Sequence, residues 1–298
     1  MKRFLIEIVI ELVFSFVVLS LIYITCNAYI DPYYNKFITG KQSSMIFGTS
    51  RANIGIRPDV INSRLKGVSI YNYAFNGHQS RWGETYYNSI EKKLDKSRSD
   101  GLFILAVDPT SINSVFDKNG KESFVQERLL KKVTNVSTPI INYQYIFNEI
   151  NNPIYHMFTS KAHDDGFLEL YAPYDSVGFV NNKKIMITTF NNSQAKEKVS
   201  LHRLEYLNRT IDLLKKYGSV YLVRIPTAEY IMELEDSAFP DFDNQMIDIA
   251  EHSGVPYINC KNNSNLYKYT IDGNHFVTDD SYNFTNDLCD SIVKIRGY

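Results

Sequence analysis

Apolar residues follow distinct rhythms along this chain. From Leu12 through Ile24 nearly every position is apolar; Phe4 to Ile10 extend the run backward, and Glu7 and Glu11 interrupt it. About 20 apolar residues cross a bilayer as a helix. Residues 1–30 are therefore expected to form an N-terminal transmembrane anchor, with both glutamates near the interface or paired. Beyond residue 43 the rhythm changes. Short apolar runs at Ser43 to Phe47, Val68 to Ala74, Leu102 to Val107, Ser219 to Arg224 and Val255 to Asn259 predict strands. Helical spacing, with Pro58 at a favourable first position, predicts helices at Pro58 to Leu65, Glu84 to Leu94, Leu201 to Tyr217, Gln245 to His252 and Asp279 to Ile295. Apolar strands alternating with helices form a parallel sheet covered on both faces. The expected fold is α/β, a flavodoxin-like three-layer sandwich with a central parallel sheet of about five strands.

Two stretches break this rhythm. Asp31 to Gln42, opening on Asp31-Pro32-Tyr33-Tyr34, is polar and is expected to be a linker between the anchor and a domain over 31–298. The segment 110–200 predicts helices at Glu122 to Val133 and Ile140 to Ile150 and a strand at Lys184 to Phe190. It reads as an insertion over the strand ends, either a substrate-binding cap or packing filler.

Composition narrows the partners. A formal net charge of -1 supplies no field to attract a phosphate backbone, so nucleic acid is not expected. Lys2 and Arg3 before the apolar run predict a cytoplasmic N-terminus, a single pass through the inner membrane and an extracytoplasmic domain. No small-x-small cleavage site follows the run, and Tyr23, Ile24 and Thr25 before Cys26 are too bulky for lipoprotein processing. Cys260 and Cys289 either pair in an oxidising compartment or stand as separate buried thiols. No CxxC or HExxH pattern points to a metal, and no cofactor is expected.

Ligands of an open parallel sheet bind at the strands' C-terminal ends. There the chain places Gly48-Thr49-Ser50-Arg51, Asn76-Gly77-His78 and Asp108, with Asp272-Gly273-Asn274-His275 before the last helix. A serine hydroxyl needs an imidazole to take its proton, and the imidazole needs a carboxylate to hold its tautomer. Ser50, His275 and Asp272 supply that set. Arg51 suits either an anionic substrate group or the solvated surface. His78 is either a substrate contact or structural. Arg224, ending the fourth strand before Pro226, is placed for a ligand's charge.

Ile46-Phe-Gly-Thr-Ser-Arg51 resembles the first block of the SGNH (GDSL-like) hydrolase superfamily, in the Gly-Thr-Ser form of its membrane-anchored branches. Asp272-Gly-Asn-His275-Phe resembles its Asp-x-x-His block, and Tyr71-Asn-Tyr-Ala-Phe-Asn-Gly77 its second block. The resemblance covers residues 43–108 and 219–296. It implies Ser50 as nucleophile, His275 as base, Asp272 as its orienter, and the Ser50 and Gly77 amides as oxyanion donors. The third block departs: Asp108 stands where the superfamily carries an asparagine donor. Asn76 or Asn113 then substitutes, or the oxyanion hole lacks a donor.

The resemblance implies a serine esterase or O-acyltransferase acting on cell-envelope or exported polysaccharide, or on an acylated small molecule. It is similar to the anchored proteins of alginate O-acetylation and teichoic acid D-alanine transfer, which work beside a multi-spanning O-acyltransferase. The alternative is a non-catalytic carbohydrate-binding or assembly subunit that keeps the fold. A lipid-directed esterase is a third reading, since the anchor keeps the site near the bilayer.

Overall fold

The computed structural model describes residues 2–123, 127–139, 141–148, 160–170, 176–192, 196–263 and 270–297. Its centre is a parallel sheet of β1 (Met45–Phe47), β2 (Tyr71–Asn72), β3 (Gly101–Ala106), β8 (Gly218–Arg224) and β9 (Tyr257–Asn259), in the order β2-β1-β3-β8-β9. This is the flavodoxin-like order. β3 is buried at every position, as a strand covered on both faces must be.

The two-residue period of the strands divides the core. Met45, Phe47, Phe103, Leu105 and Leu222 point to one face, where α5 (Glu84–Lys93), α10 (Leu201–Leu214) and α12 (Phe242–Ser253) cover them. Ile46, Ile104, Tyr221 and Val223 point to the other, against α3 (Ser50–Gly55), α4 (Pro58–Arg64) and α13 (Thr278–Arg296). The expected three-layer sandwich is the observed one.

α1 (Lys2–Ile30) stands largely apart. Its segment Lys2–Ile22 has a mean hydropathy of 2.6, is only 6% buried, and is long and apolar enough to cross a membrane. Glu7 pairs with Arg3 one turn back, at 3.3 Å.

The stretch after α1 corrects the linker expectation. α2 (Tyr34–Ile38) packs into the core, with Tyr34 and Phe37 fully buried. Its polarity misled because Lys36 is buried as well. The Lys36 ammonium donates to Asn53 Oδ1 at 2.7 Å and to the Asn72 and Ala74 carbonyls at 2.8 and 2.7 Å. Asn72 and Ala74 belong to the sheet's edge, where unpaired carbonyls need covering. The Asn72 amide meets the Asp165 carbonyl at 2.8 Å.

After α6 (Pro109–Ile112) the chain leaves the sheet. β4 (Asn113–Ser114) pairs antiparallel with β7 (Lys198–Val199), so the segment's two ends are held together. Between them lie α7 (Arg128–Lys132), α8 (Tyr143–Asn148), the hairpin of β5 (Ser160–Ala162) with β6 (Leu168–Leu170), and α9 (Ser176–Asn192).

Three expectations change here. Of the helix expected from Glu122 to Val133, the described residues form α7 alone, and Glu122 itself bridges to Phe116. The helix expected at 140–150 is α8, with residues 140, 149 and 150 outside the described ones. Lys184 to Phe190 is part of α9, not a strand. A short β-branched run does not distinguish the two by composition. Met186 and Thr189, which line the cavity, and the buried Phe190 follow helical spacing. α11 (Glu229–Ala238), absent from the sequence reading, packs Ile231 and Met232 inward.

Candidate active site

β1 ends in a turn whose geometry depends on Gly48. Its φ is 140°, and a Cβ there would lie 2.8 Å from the Ala106 Cβ. The turn delivers Ser50 to the first position of α3, after Thr49 as N-cap. An amide at that position has no acceptor within its helix.

The Asp272 loop closes on itself. Asp272 Oδ1 accepts from the Asn274 and His275 amides at 2.9 and 3.0 Å, while Tyr230 donates to the Asp272 carbonyl at 2.7 Å. Gly273 has φ 94°, and a Cβ on it would meet the Tyr230 hydroxyl at 2.0 Å. The Gly273 amide donates to Thr270 Oγ1 at 2.9 Å. His275 is thus aimed by its own loop.

These elements bring the three predicted residues together. His275 Nδ1 lies 2.8 Å from Asp272 Oδ2, and His275 Nε2 lies 2.8 Å from Ser50 Oγ. Burial would raise the Asp272 pKa, but the His275 charge and hydrogen bonds from His275 and the two amides overcome it and hold the carboxyl at about 2. An ionised carboxylate only accepts, so the facing Nδ1 carries a proton. With that tautomer and no second proton on the ring, Nε2 is the end that can accept from the Ser50 hydroxyl.

Ser50 and His275 open into a cavity of about 290 Å³, whose wall includes Asn76, Gly77, His78, Arg51 and Asp108. Among the described residues the Gly77 amide meets no acceptor, so it and the Ser50 amide can serve a ligand oxygen. The Gly77 loop is braced throughout. Ser80 Oγ donates to the Gly48 carbonyl at 2.7 Å, and Arg81 Nε to the Gly77 carbonyl at 3.0 Å. The rest of the Arg81 guanidinium, buried on the cavity wall, makes two 2.8 Å bonds to Glu197 and one of 2.7 Å to the Asn113 carbonyl.

Asp108 lines the cavity as an acceptor. Its carboxylate takes the Thr49 hydroxyl at 2.7 Å and the Ser111 amide at 2.9 Å, capping α6. It steadies Thr49, the residue before Ser50. Of the two proposed substitutes, Asn76 lies on the cavity wall and Asn113 does not. The Asn76 Oδ1 accepts from the His78 amide at 3.0 Å, and its side chain also hydrogen-bonds Tyr33, so its NH₂ group is already engaged. His78 stands exposed at the rim, where partial burial and the Arg81 charge lower its pKa.

Both other arginine expectations need correction. Arg51 is buried, not a solvated surface residue. Its Nη2 donates to Glu235 at 2.6 Å and to Asn274 Oδ1 at 2.8 Å. Burial opposes its charge, but the fields of Glu235, Asp108 and Asp272 win and raise its pKa. Arg224 does not reach the cavity. It is 1% exposed, braced by Glu235 and Asp243 and set over the Phe242 ring. Arg224 does end β8, but these carboxylates neutralise its charge before any ligand meets it.

Sequence reasoning missed Arg81, Glu197, Thr110, Met186 and Thr189 on the cavity wall. Arg81 carried a faint signal, four residues after Gly77; Glu197 lies across the insertion and carried none. Cys260 and Cys289 are free buried thiols, not a disulfide, and burial raises each to about 11. Among the described residues, no group of three or more His, Cys, Asp or Glu side chains is arranged to hold a metal. No family model and no curated protein matches the chain.

Proposed function

We propose that this chain is a membrane-anchored serine esterase or O-acyltransferase resembling the SGNH superfamily, acting on cell-envelope or exported polysaccharide. The reading rests on one observation, the continuous relay from Ser50 Oγ through His275 to Asp272, with both contacts at 2.8 Å beside an open cavity.

Ser50 Oγ attacks the acyl carbonyl as its proton passes to His275 Nε2. The Ser50 and Gly77 amides receive the oxyanion. Collapse breaks the bond to the leaving alkoxide, which takes the proton from Nε2 and leaves an acyl-Ser50 ester. Nε2 then deprotonates water or a sugar hydroxyl, the new oxygen attacks the ester carbonyl, and Ser50 departs with the proton. Water gives hydrolysis; a sugar hydroxyl gives transfer.

Lys2 and Arg3 support a cytoplasmic N-terminus and an extracytoplasmic domain. Glu11 supports a partner within the membrane, for which a multi-spanning O-acyltransferase is the candidate. It is exposed inside the apolar span and makes no side-chain contact among the described residues, a costly state unless another protein meets it.

The test is turnover of p-nitrophenyl acetate by the full-length protein in detergent, compared with Ser50→Ala and His275→Ala. Loss of turnover in both variants, with fluorophosphonate labelling of wild type alone, bears the proposal out. A non-catalytic carbohydrate-binding subunit is the second reading, and Asp108 favours it because a carboxylate cannot donate to an oxyanion. Absence of both turnover and labelling in wild type would select it.

A further inference from the structure

α8 carries two faces. Tyr145 points inward and is fully buried, its ring 5.5 Å from Tyr34 and 4.9 Å from Phe37. Its hydroxyl donates at 2.8 Å to Asp31 Oδ1, on the residue that follows α1. That bond and the ring packing fasten α8 to the point where the chain leaves the apolar helix. The outward face presents Tyr143 and Phe147, one turn apart and 40% and 68% exposed. Both rings stack on Phe16 of α1, with centroids 5.5 and 6.4 Å away. The helix, Tyr-Gln-Tyr-Ile-Phe-Asn, contains no charged residue.

Phe16 lies within the apolar segment Lys2–Ile22, under two turns before its end. At 1.5 Å per residue, that places it about 9 Å inside the span. Any bilayer that accommodates the segment therefore reaches the level of Tyr143 and Phe147. Amphipathic helices in an interface sit roughly 5–10 Å into the headgroup and acyl boundary, where aromatic rings gather.

From this geometry we infer that the outward face of α8 is a second membrane contact, with Tyr143 and Phe147 seated in the lipid interface beside the anchor. The occupant is the bilayer itself: the patch is continuous with a helix of bilayer-spanning composition and fixed to its exit. The inference rests on the anchoring proposed above. It adds that the insertion, and not α1 alone, holds the domain's orientation to the membrane.

Depth-dependent fluorescence quenching tests it. The full-length chain has one tryptophan, Trp82, which is fully buried and provides an unquenched reference. Phe147→Trp and, separately, Phe14→Trp are reconstituted into nanodiscs of phosphatidylcholine and phosphatidylglycerol, with and without phosphatidylcholine brominated near the glycerol end of its chains. Tyr143→Trp reports on the same face should the Phe147 variant fail to fold. The emission that the introduced α8 tryptophan adds to the Trp82 signal is expected to fall at least twofold with the brominated lipid, alongside that added by Phe14→Trp. Quenching at position 14 without quenching at 147 or 143 overturns the inference and leaves the anchor standing. Quenching at neither site overturns the anchor and the inference with it.

Discussion

Arg51 Nη2 donates to Asn274 Oδ1 at 2.8 Å, joining the residue after Ser50 to the residue before His275. Ser50 and His275 are 225 positions apart in sequence, yet a single hydrogen bond between their neighbours ties their two loops together. Glu235, buried beneath, holds the guanidinium in place through both of its oxygens.

Asn274→Ala breaks this tie while leaving the Arg51–Glu235 pair intact. Loss of one hydrogen bond lowers stability by about 1 kcal/mol. Because the change loosens the Ser50–His275 distance, kcat is expected to fall roughly tenfold with KM nearly unchanged. Steady-state kinetics on p-nitrophenyl acetate and urea unfolding check the two parts. A pure KM effect would show that Arg51 and Asn274 bind substrate and do not align the relay.

Glu197→Ala leaves the Arg81 guanidinium buried without its carboxylate. Stranding one partner of a buried pair costs about 3–5 kcal/mol, readable as a shift in the urea midpoint. Arg81 also holds the Gly77 carbonyl, so Glu197→Gln, which keeps the shape, is expected to lower kcat more than it raises KM. Unchanged kcat in a folded Glu197→Gln protein would remove the insertion from the oxyanion site.

Asp108→Asn introduces the residue carried by the SGNH third block. Its carbonyl can still cap Ser111, and its NH₂ meets the Thr49 hydroxyl, which accepts as readily as it donates. Activity is therefore expected to change less than about threefold, against the roughly 100-fold that one oxyanion donor supplies elsewhere. A gain approaching 100-fold would mean that position 108 reaches the oxyanion after all.

Asp272 links stability to pH. Its folded carboxyl is held at about 2, below its ordinary value of 3.8, so the native state favours the ionised form. That contribution, on the order of 2 kcal/mol, is present in full well above pH 4 and is lost as pH falls toward 2. Urea unfolding of wild type and Asp272→Asn should show a stability gap that narrows by roughly two thirds of this amount between pH 5.5 and pH 2.5. A gap independent of pH would contradict the ionised relay. The same variant is expected to lose on the order of 10⁴-fold in kcat, because an amide no longer imposes the tautomer.

The strands and the relay were legible because their signals are local. β3 and β8 are short apolar runs, and a doubly covered strand has no other composition. Ser50 follows a turn that needs Gly48, and the Asp272 loop closes on its own amides within four residues. Such features lie within a few residues of one another, so a linear reading captures them. The charged braces were not legible. Arg51 reads as a surface residue until Glu235 is brought beneath it, and Arg81 acquires its role only when β4 and β7 carry Glu197 back across the insertion. α2 read as a linker because Lys36 is polar, and only the sheet's edge supplies the carbonyls that let its ammonium be buried. Short-range periodicity and turn chemistry determine which elements form and where a strand ends. Burial of a charge depends on partners that are distant in sequence, and the tertiary structure alone chose them.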